Sequence, residues 1–165
     1  LTVDLDALFN QHRAGLLRYL TRYTGDPEEA ADAVQEAYLR LLERPPEGNE
    51  NLRRWLYVVA TNVVRDRRKK HHEAVLAEGS EERIGSDHAD PLALLEQNER
   101  RRAVREVLGK LSTKERTILL MREEGFLHRE IAAAVGTTTK SIGTMLVRAL
   151  NKLAKDLGEE AEELQ

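Results

Sequence analysis

A chain of 165 residues with no cysteine has room for one medium helical domain or two small ones, and it excludes disulfides and thiolate metal sites. Four prolines, ten glycines and a 4% aromatic share beside abundant Leu, Ala, Glu and Arg favour helices, while a formal charge of -3 argues against a generic nucleic-acid coat. Apolar runs such as Trp55 to Ala60 and Ile131 to Val135 are far too short for a bilayer and residues 1 to 20 carry no signal-peptide pattern, so the expectation is an all-α, soluble, intracellular protein without membrane insertion.

Leu5, Leu8, Phe9, Leu16, Leu20 and Tyr23 recur at helical spacing and predict a first helix ending near Gly25. Asp26-Pro27-Glu28-Glu29 then restarts the chain. Asp26 suits the cap, Pro27 the first helical position, and Glu29 is placed to close a capping box. This second helix is expected to run to about Glu43 on a stripe of Ala30, Val34, Ala37, Tyr38, Leu41 and Leu42, leaving Asp32, Gln35, Glu36 and Arg40 on other faces. Pro45-Pro46-Glu47-Gly48-Asn49 breaks it.

A third helix follows, with Leu52, Trp55, Leu56, Val59 and Val63 inward. It leads into Arg65, Arg67, Arg68, Lys69, Lys70, His71 and His72, a basic end that suits both the helix dipole and neighbouring phosphates. Tyr57 lies off that stripe and is a candidate for stacking on an unpaired base. Residues 1–72 thus read as one helical domain.

From 73 to 90 the pattern gives way to an acidic, Gly- and Ser-containing stretch, expected as a linker. A second domain, 91–157, opens near Pro91 with Leu92, Leu95, Val104, Val107, Leu108 and Leu111 as its apolar side. Ser112-Thr113-Lys114-Glu115 is a capping box for a helix that stops at Gly125. Helices are predicted at about 129–135 and 139–156, then a frayed acidic tail over 158–165.

Residues 128–148 fit a helix-turn-helix. Ile131 and Val135 pack the first helix, Ala132 permits close approach, Gly136 makes the turn, and Ile142 and Met145 bury the second helix. Thr138 is the expected N-cap, and Thr139, Lys140, Thr144 and Arg148 project outward with groups suited to base edges and phosphates. No nucleophile motif or phosphate-cradling loop is present, and Asp32 and Glu36 lack a partner that would make them an acid/base pair or metal ligands. The expectation is a non-enzyme with no cofactor, no metal and no small-molecule substrate. Two alternatives remain open to the residues alone: a conventional helix-turn-helix repressor or activator that binds duplex DNA unaided, and a helical adaptor that binds only protein.

Three stretches, in order, resemble the sigma-70 family of bacterial RNA polymerase sigma factors. "GDPEEAADAVQEAYLRLLE" (25–43) and "WLYVVATNVVRDRRKK" (55–70) are similar to its region 2, and "LSTKERTILLMREEGFLHREIAAAVGTTTKSIGTMLVRAL" (111–150) to its region 4. The missing region 3 points to the extracytoplasmic-function group. The resemblance implies a protein that binds core RNA polymerase and promoter DNA, acts in the cytoplasm, and has an anti-sigma factor. Carried over by position, Asp32, Gln35 and Glu36 would contact polymerase. Residues 45–53, with Asn49, Asn51 and Arg53, would capture a flipped minus-10 base. Asn62, Arg65, Arg67, Arg68, Lys69 and Lys70 would read and hold the minus-10 region. Thr138, Thr139, Lys140, Thr144, Val147 and Arg148 would meet the minus-35 element, and the linker would thread through the polymerase near the RNA exit path. The chain departs from the family pattern at Gly143, where a basic residue is common, at Met145, where arginine is common, and at Leu127, which replaces a small hydroxyl cap. Its 45–53 loop is short and lacks the usual aromatic.

Overall fold

The computed structural model describes residues 4–47, 51–78 and 95–163, with side chains for all but 95–98 and 160–163. Among them are seven helices and no strand. The chain divides into two compact units, 1–88 and 89–165.

In the first unit, α1 (Leu5–Thr24), α2 (Pro27–Glu43) and α3 (Leu52–Glu78) pack on one another. Asp4 caps α1 by accepting from the Ala7 N–H at 3.1 Å. Gly25, at φ 74°, ends the helix in the left-handed conformation and donates its N–H to the Thr21 carbonyl. Asp26 caps α2, its Oδ1 accepting from Glu28 N at 2.9 Å. Glu29 does not close the expected capping box. Its carboxylate turns to the Arg68 guanidinium, with Nε and Nη2 each donating at 2.9 Å, a charge-assisted fork stronger than a bond to a backbone amide. The Asp26 N–H is taken instead by Thr24 Oγ1 at 3.0 Å.

The core of this unit is built from Phe9, Leu16, Tyr19, Leu20 and Tyr23 of α1, Ala30, Ala33, Val34, Ala37 and Leu41 of α2, and Leu56, Tyr57, Ala60, Val63 and Val64 of α3. Two expectations shift. Leu42 is 48% exposed. The inward face of α3 is rotated, so Trp55 and Val59 are only half-buried while Tyr57 is 1% exposed. Tyr57 therefore cannot stack on a base. Its ring lies 4.9 Å from that of Tyr19, and its carbonyl accepts from Thr61 Oγ1, which also bonds the Tyr19 hydroxyl at 2.9 Å. The buried hydroxyls of Tyr19 and Thr61 thus satisfy one another.

α3 also runs through Glu78, six residues into the segment expected as linker. Glu73, Ala74, Leu76, Ala77 and Glu78 are mostly strong helix formers, and they need no buried stripe: Leu76 is 65% exposed. The remainder of the expected linker, 79–90, lies outside the described residues.

The second unit holds α4 (Leu95–Lys110), α5 (Thr113–Glu123), α6 (His128–Val135) and α7 (Thr139–Glu163). The capping box of α5 is present: Glu115 N donates to Ser112 Oγ at 3.1 Å and Ser112 N donates to Glu115 Oε2 at 2.8 Å. Arg116 is buried, an outcome its charge does not suggest. Its Nε donates to the Leu108 carbonyl at 2.9 Å and its Nη2 to the Gly109 and Leu111 carbonyls at 3.3 Å. It thereby satisfies acceptors that the end of α4 leaves open, where a cation also suits the dipole.

Val107, Leu108, Leu111, Ile118, Met121, Phe126, Ile131, Ala132, Ile142, Leu146 and Ala149 form the core of this unit. Val104, expected inward, is exposed, and Leu146 and Ala149 take the place expected for Met145, which is half-buried. α7 continues to Glu163 past the expected end. Gly158 is not in the positive-φ region, and the residues around it, rich in Glu and Ala, are good helix formers that tolerate one interior glycine.

Candidate nucleic-acid interface

The turn between α6 and α7 is built from local chemistry. Leu127 offers α6 no side-chain cap; the Glu130 carboxylate instead accepts from the Leu127 N–H at 2.7 Å. Gly136, at φ 71°, closes α6, its N–H donating to the Ala132 carbonyl. Thr138 then starts α7: its Oγ1 accepts from Ser141 N at 3.3 Å and bonds Ser141 Oγ at 2.7 Å. With Ile142, Leu146 and Ala149 buried, the opposite side of α7 presents Lys140, Thr144, Val147 and Arg148, while Thr138 and Thr139 are exposed at the start of the helix. All six expected residues are therefore exposed, two hydroxyls at the helix start and then Lys140 and Arg148 with Thr144 and Val147 between them along one side.

In the first unit the α3 cations divide. Arg65, Arg67, Lys69 and Lys70 are exposed, and Asn62, Arg65 and Lys69 fall in one row at i, i+3 and i+7. Such a row tracks neighbouring phosphates. Arg68 leaves this set. Besides Glu29 it donates to the Thr24 carbonyl at 2.8 Å, and the Glu29 hydrogen bond holds its pKa above the ordinary arginine value against the desolvation of burial. It ties α3 to the α1–α2 corner.

Asn51 also has a structural duty: its Oδ1 accepts from Arg54 N at 3.1 Å at the start of α3. Arg53 lies over the Tyr57 ring, 5.6 Å from its centroid. Asn49 lies outside the described residues.

On α2, Asp32 and Gln35 are exposed and Glu36 is half-exposed, paired with Arg40 at 3.1 Å. Sequence reasoning missed their apolar neighbours. Leu39 is 46% exposed and, with Leu42, extends the same face by one to two turns. A mixed acidic and aliphatic face is suited to protein rather than to DNA. On the flank of α2, Tyr38 donates to Asp6, a hydrogen bond that holds its hydroxyl pKa above the usual tyrosine value.

No described helix is long and apolar enough to cross a membrane, and among the described residues no group of three His, Asp or Glu could hold a metal ion.

Residues 8–73 match the family described as Sigma-70 region 2, and residues 101–153 match Sigma-70, region 4. The ECF RNA polymerase sigma factor SigL of Mycobacterium tuberculosis is 29% identical, over 92% of this chain and 89% of that protein. The RNA polymerase sigma factor YlaC of Bacillus subtilis is 26% identical, over 97% of this chain and 95% of that protein. Among solved structures, the sigma factor RpoE of Bartonella quintana, in complex with the anti-sigma factor NepR, superposes with a TM-score of 0.74 at 22% identity, covering 94% of this chain and 97% of that one. CnrH, in complex with the cytosolic domain of CnrY, gives 0.66 at 22% identity over 94% and 88%. At those identities the structures speak for a shared fold. With both region matches in order on the two units, the chain belongs to the sigma-70 family of RNA polymerase sigma factors, in its extracytoplasmic-function group.

Proposed function

We propose that this sigma factor holds core RNA polymerase through the outer face of α2, grips the minus-10 region with the exposed cations of α3, and reads the minus-35 element with the first turns of α7. As a sigma factor the chain directs core polymerase to promoters for transcription initiation; the assignment of surfaces to residues is the proposal. The observation that carries it is the gathering of Lys140, Thr144, Val147 and Arg148 on the uncovered side of α7, with Thr138 and Thr139 exposed at its start, the helix that a helix-turn-helix lays in the major groove.

The α2 surface comprises Asp32, Gln35, Glu36, Leu39 and Leu42, and the α3 surface Asn62, Arg65, Arg67, Lys69 and Lys70. Arg53 and Asn51 border the second from the start of α3. The protein performs no bond chemistry of its own; phosphodiester formation belongs to the polymerase. NepR on the Bartonella protein supports an anti-sigma partner for this chain as well.

In-vitro transcription with purified core polymerase tests the reading. Core plus this chain initiates at discrete start sites that core alone does not use. Tight, specific duplex binding by the chain without core, and no initiation with it, would replace the reading with that of a conventional regulator.

A further inference from the structure

Gly143 is half-buried at the edge of the exposed side of α7, in one row with Lys140 and Val147, and nothing within the fold requires a glycine there. Its φ is not positive, and a Cβ added there would meet nothing within 4 Å. Neither a turn nor tight packing accounts for a residue that, proline aside, is the least favourable in a helix interior. One turn further along the same row stands Val147, 57% exposed and no part of the core. Lys140 precedes the pair at i−3, and Thr144 and Arg148 flank it, all exposed.

The row therefore offers, in order, a cation, a gap with bare backbone, and an isopropyl group between polar neighbours. The one apolar group on a base edge in the major groove is the C5-methyl of thymine. Valine is short and stiff, so it reaches such a methyl only if the helix backbone sits close to the bases. A missing side chain one turn earlier allows that approach. Gly143 and Val147 lie about 6 Å and 12 Å along the axis from Thr139, within the part of a recognition helix that enters the groove.

We propose that Val147 reads a thymine methyl in the minus-35 element and that Gly143 is the notch that lets it reach. The inference rests on the proposed DNA-reading role of α7 and adds the chemistry being read.

The test uses holoenzyme assembled from core polymerase and the full chain. A pool of promoters with a randomised minus-35 element is first enriched by binding. Each thymine of the enriched element is then replaced in turn by deoxyuridine, which removes the methyl and leaves every hydrogen-bonding group in place. Wild type loses about fourfold in affinity at one thymine, the worth of one buried methyl. V147A binds the thymine and uracil templates alike. G143A, although its helix is the more stable, binds the thymine template several-fold more weakly than wild type.

The inference is overturned by an enriched element of G·C pairs alone, by a wild type insensitive to every uracil, by a V147A that keeps the wild-type sensitivity, or by a G143A that binds the thymine template as well as wild type does. A V147A that weakens binding while keeping the thymine preference overturns it too, because Val147 then meets a protein or sugar-phosphate surface. Enrichment of no sequence at all strikes the functional reading itself.

Discussion

Arg68 and Glu29, 39 positions apart, meet through two hydrogen bonds of 2.9 Å, and the same guanidinium also reaches the carbonyl of Thr24. Arg68 sits inside a run of cations that otherwise face outward, so neighbours in sequence have different duties. Arg68→Ala is expected to destabilise the first domain by about 1–3 kcal/mol, the range for losing part-buried bonds to a charged group. Arg67→Ala leaves stability within about 0.5 kcal/mol and weakens DNA binding with a shallower salt dependence. Urea unfolding and a salt titration of promoter binding separate the two, and a stable Arg68→Ala protein would return Arg68 to the DNA surface.

Arg116 provides a second internal tie. Arg116→Met removes donors from the carbonyls of Leu108, Gly109 and Leu111 and is expected to cost about 2–4 kcal/mol. Arg116→Lys recovers little, because an ammonium cannot span carbonyls with a planar fork. Thermal unfolding monitored by circular dichroism checks both, and a lysine variant as stable as wild type would refute the forked role.

The Ser112 backbone N–H donates to the Glu115 carboxylate and, with help from Lys152, holds its pKa below the usual carboxylate value. The folded state thus binds this proton less readily than the unfolded chain does. Its contribution to stability is complete above about pH 4.5, the unfolded value, and is lost as pH falls through the lower folded pKa. Glu115→Gln keeps an acceptor for Ser112 but has no charge to titrate. The wild-type minus variant difference in urea midpoint is expected to shrink between pH 6 and pH 3, on the order of the carboxylate titration range; a constant difference would contradict the assignment.

Leu127 occupies a capping position without capping, and its side chain is exposed. Leu127→Ser supplies a side-chain oxygen to the N–H groups of the first turn of α6, and little apolar burial is lost. The expected gain is about 1 kcal/mol, seen as a raised melting temperature; an unchanged or lowered value would contradict the capping argument.

Arg148 is one turn past Thr144 on the exposed side of α7. Arg148→Ala is expected to spare folding. Contact with a guanine edge makes the loss about 1–3 kcal/mol and confines it to promoters bearing that base. Contact with a phosphate weakens all promoters alike. Transcription from a panel of minus-35 variants distinguishes them, and a folded variant at wild-type level on the whole panel would remove Arg148 from the reading face.

The parts legible in the sequence are those decided within a few residues. Asp26, Ser112, Gly136 and Thr138 act on their immediate neighbours, and the structure places each as a cap or turn. The exposed side of α7 followed because the buried residues Ile131, Ala132 and Ile142 anchor its phase. What escaped depends on partners far along the chain. In α3, apolar residues permit two phases, and only Tyr19 and Thr61, 42 positions apart, fix the one that buries Tyr57. Glu29 and Arg68 each look like ordinary helix-end charges until the fold joins them. Leu42 looks like core because its exposure depends on where α1 and α3 leave α2 uncovered, which spacing along α2 alone does not encode.

In mechanical terms α3 is a cantilever. Its first half is walled in by α1 and α2, and Arg68 bolts it to Thr24 and Glu29. The ten residues beyond it carry the helix on by about 15 Å. A pull on the cations around that bolt is delivered to the first turn of α2, where Glu29 stands in one row with Asp32 and Glu36, two of the residues proposed to meet polymerase. On the proposed assignment of surfaces, strain in a distorted DNA strand and the grip on the enzyme would act on one stiff part, and loosening the Arg68 bolt would let either strain relax before the other felt it.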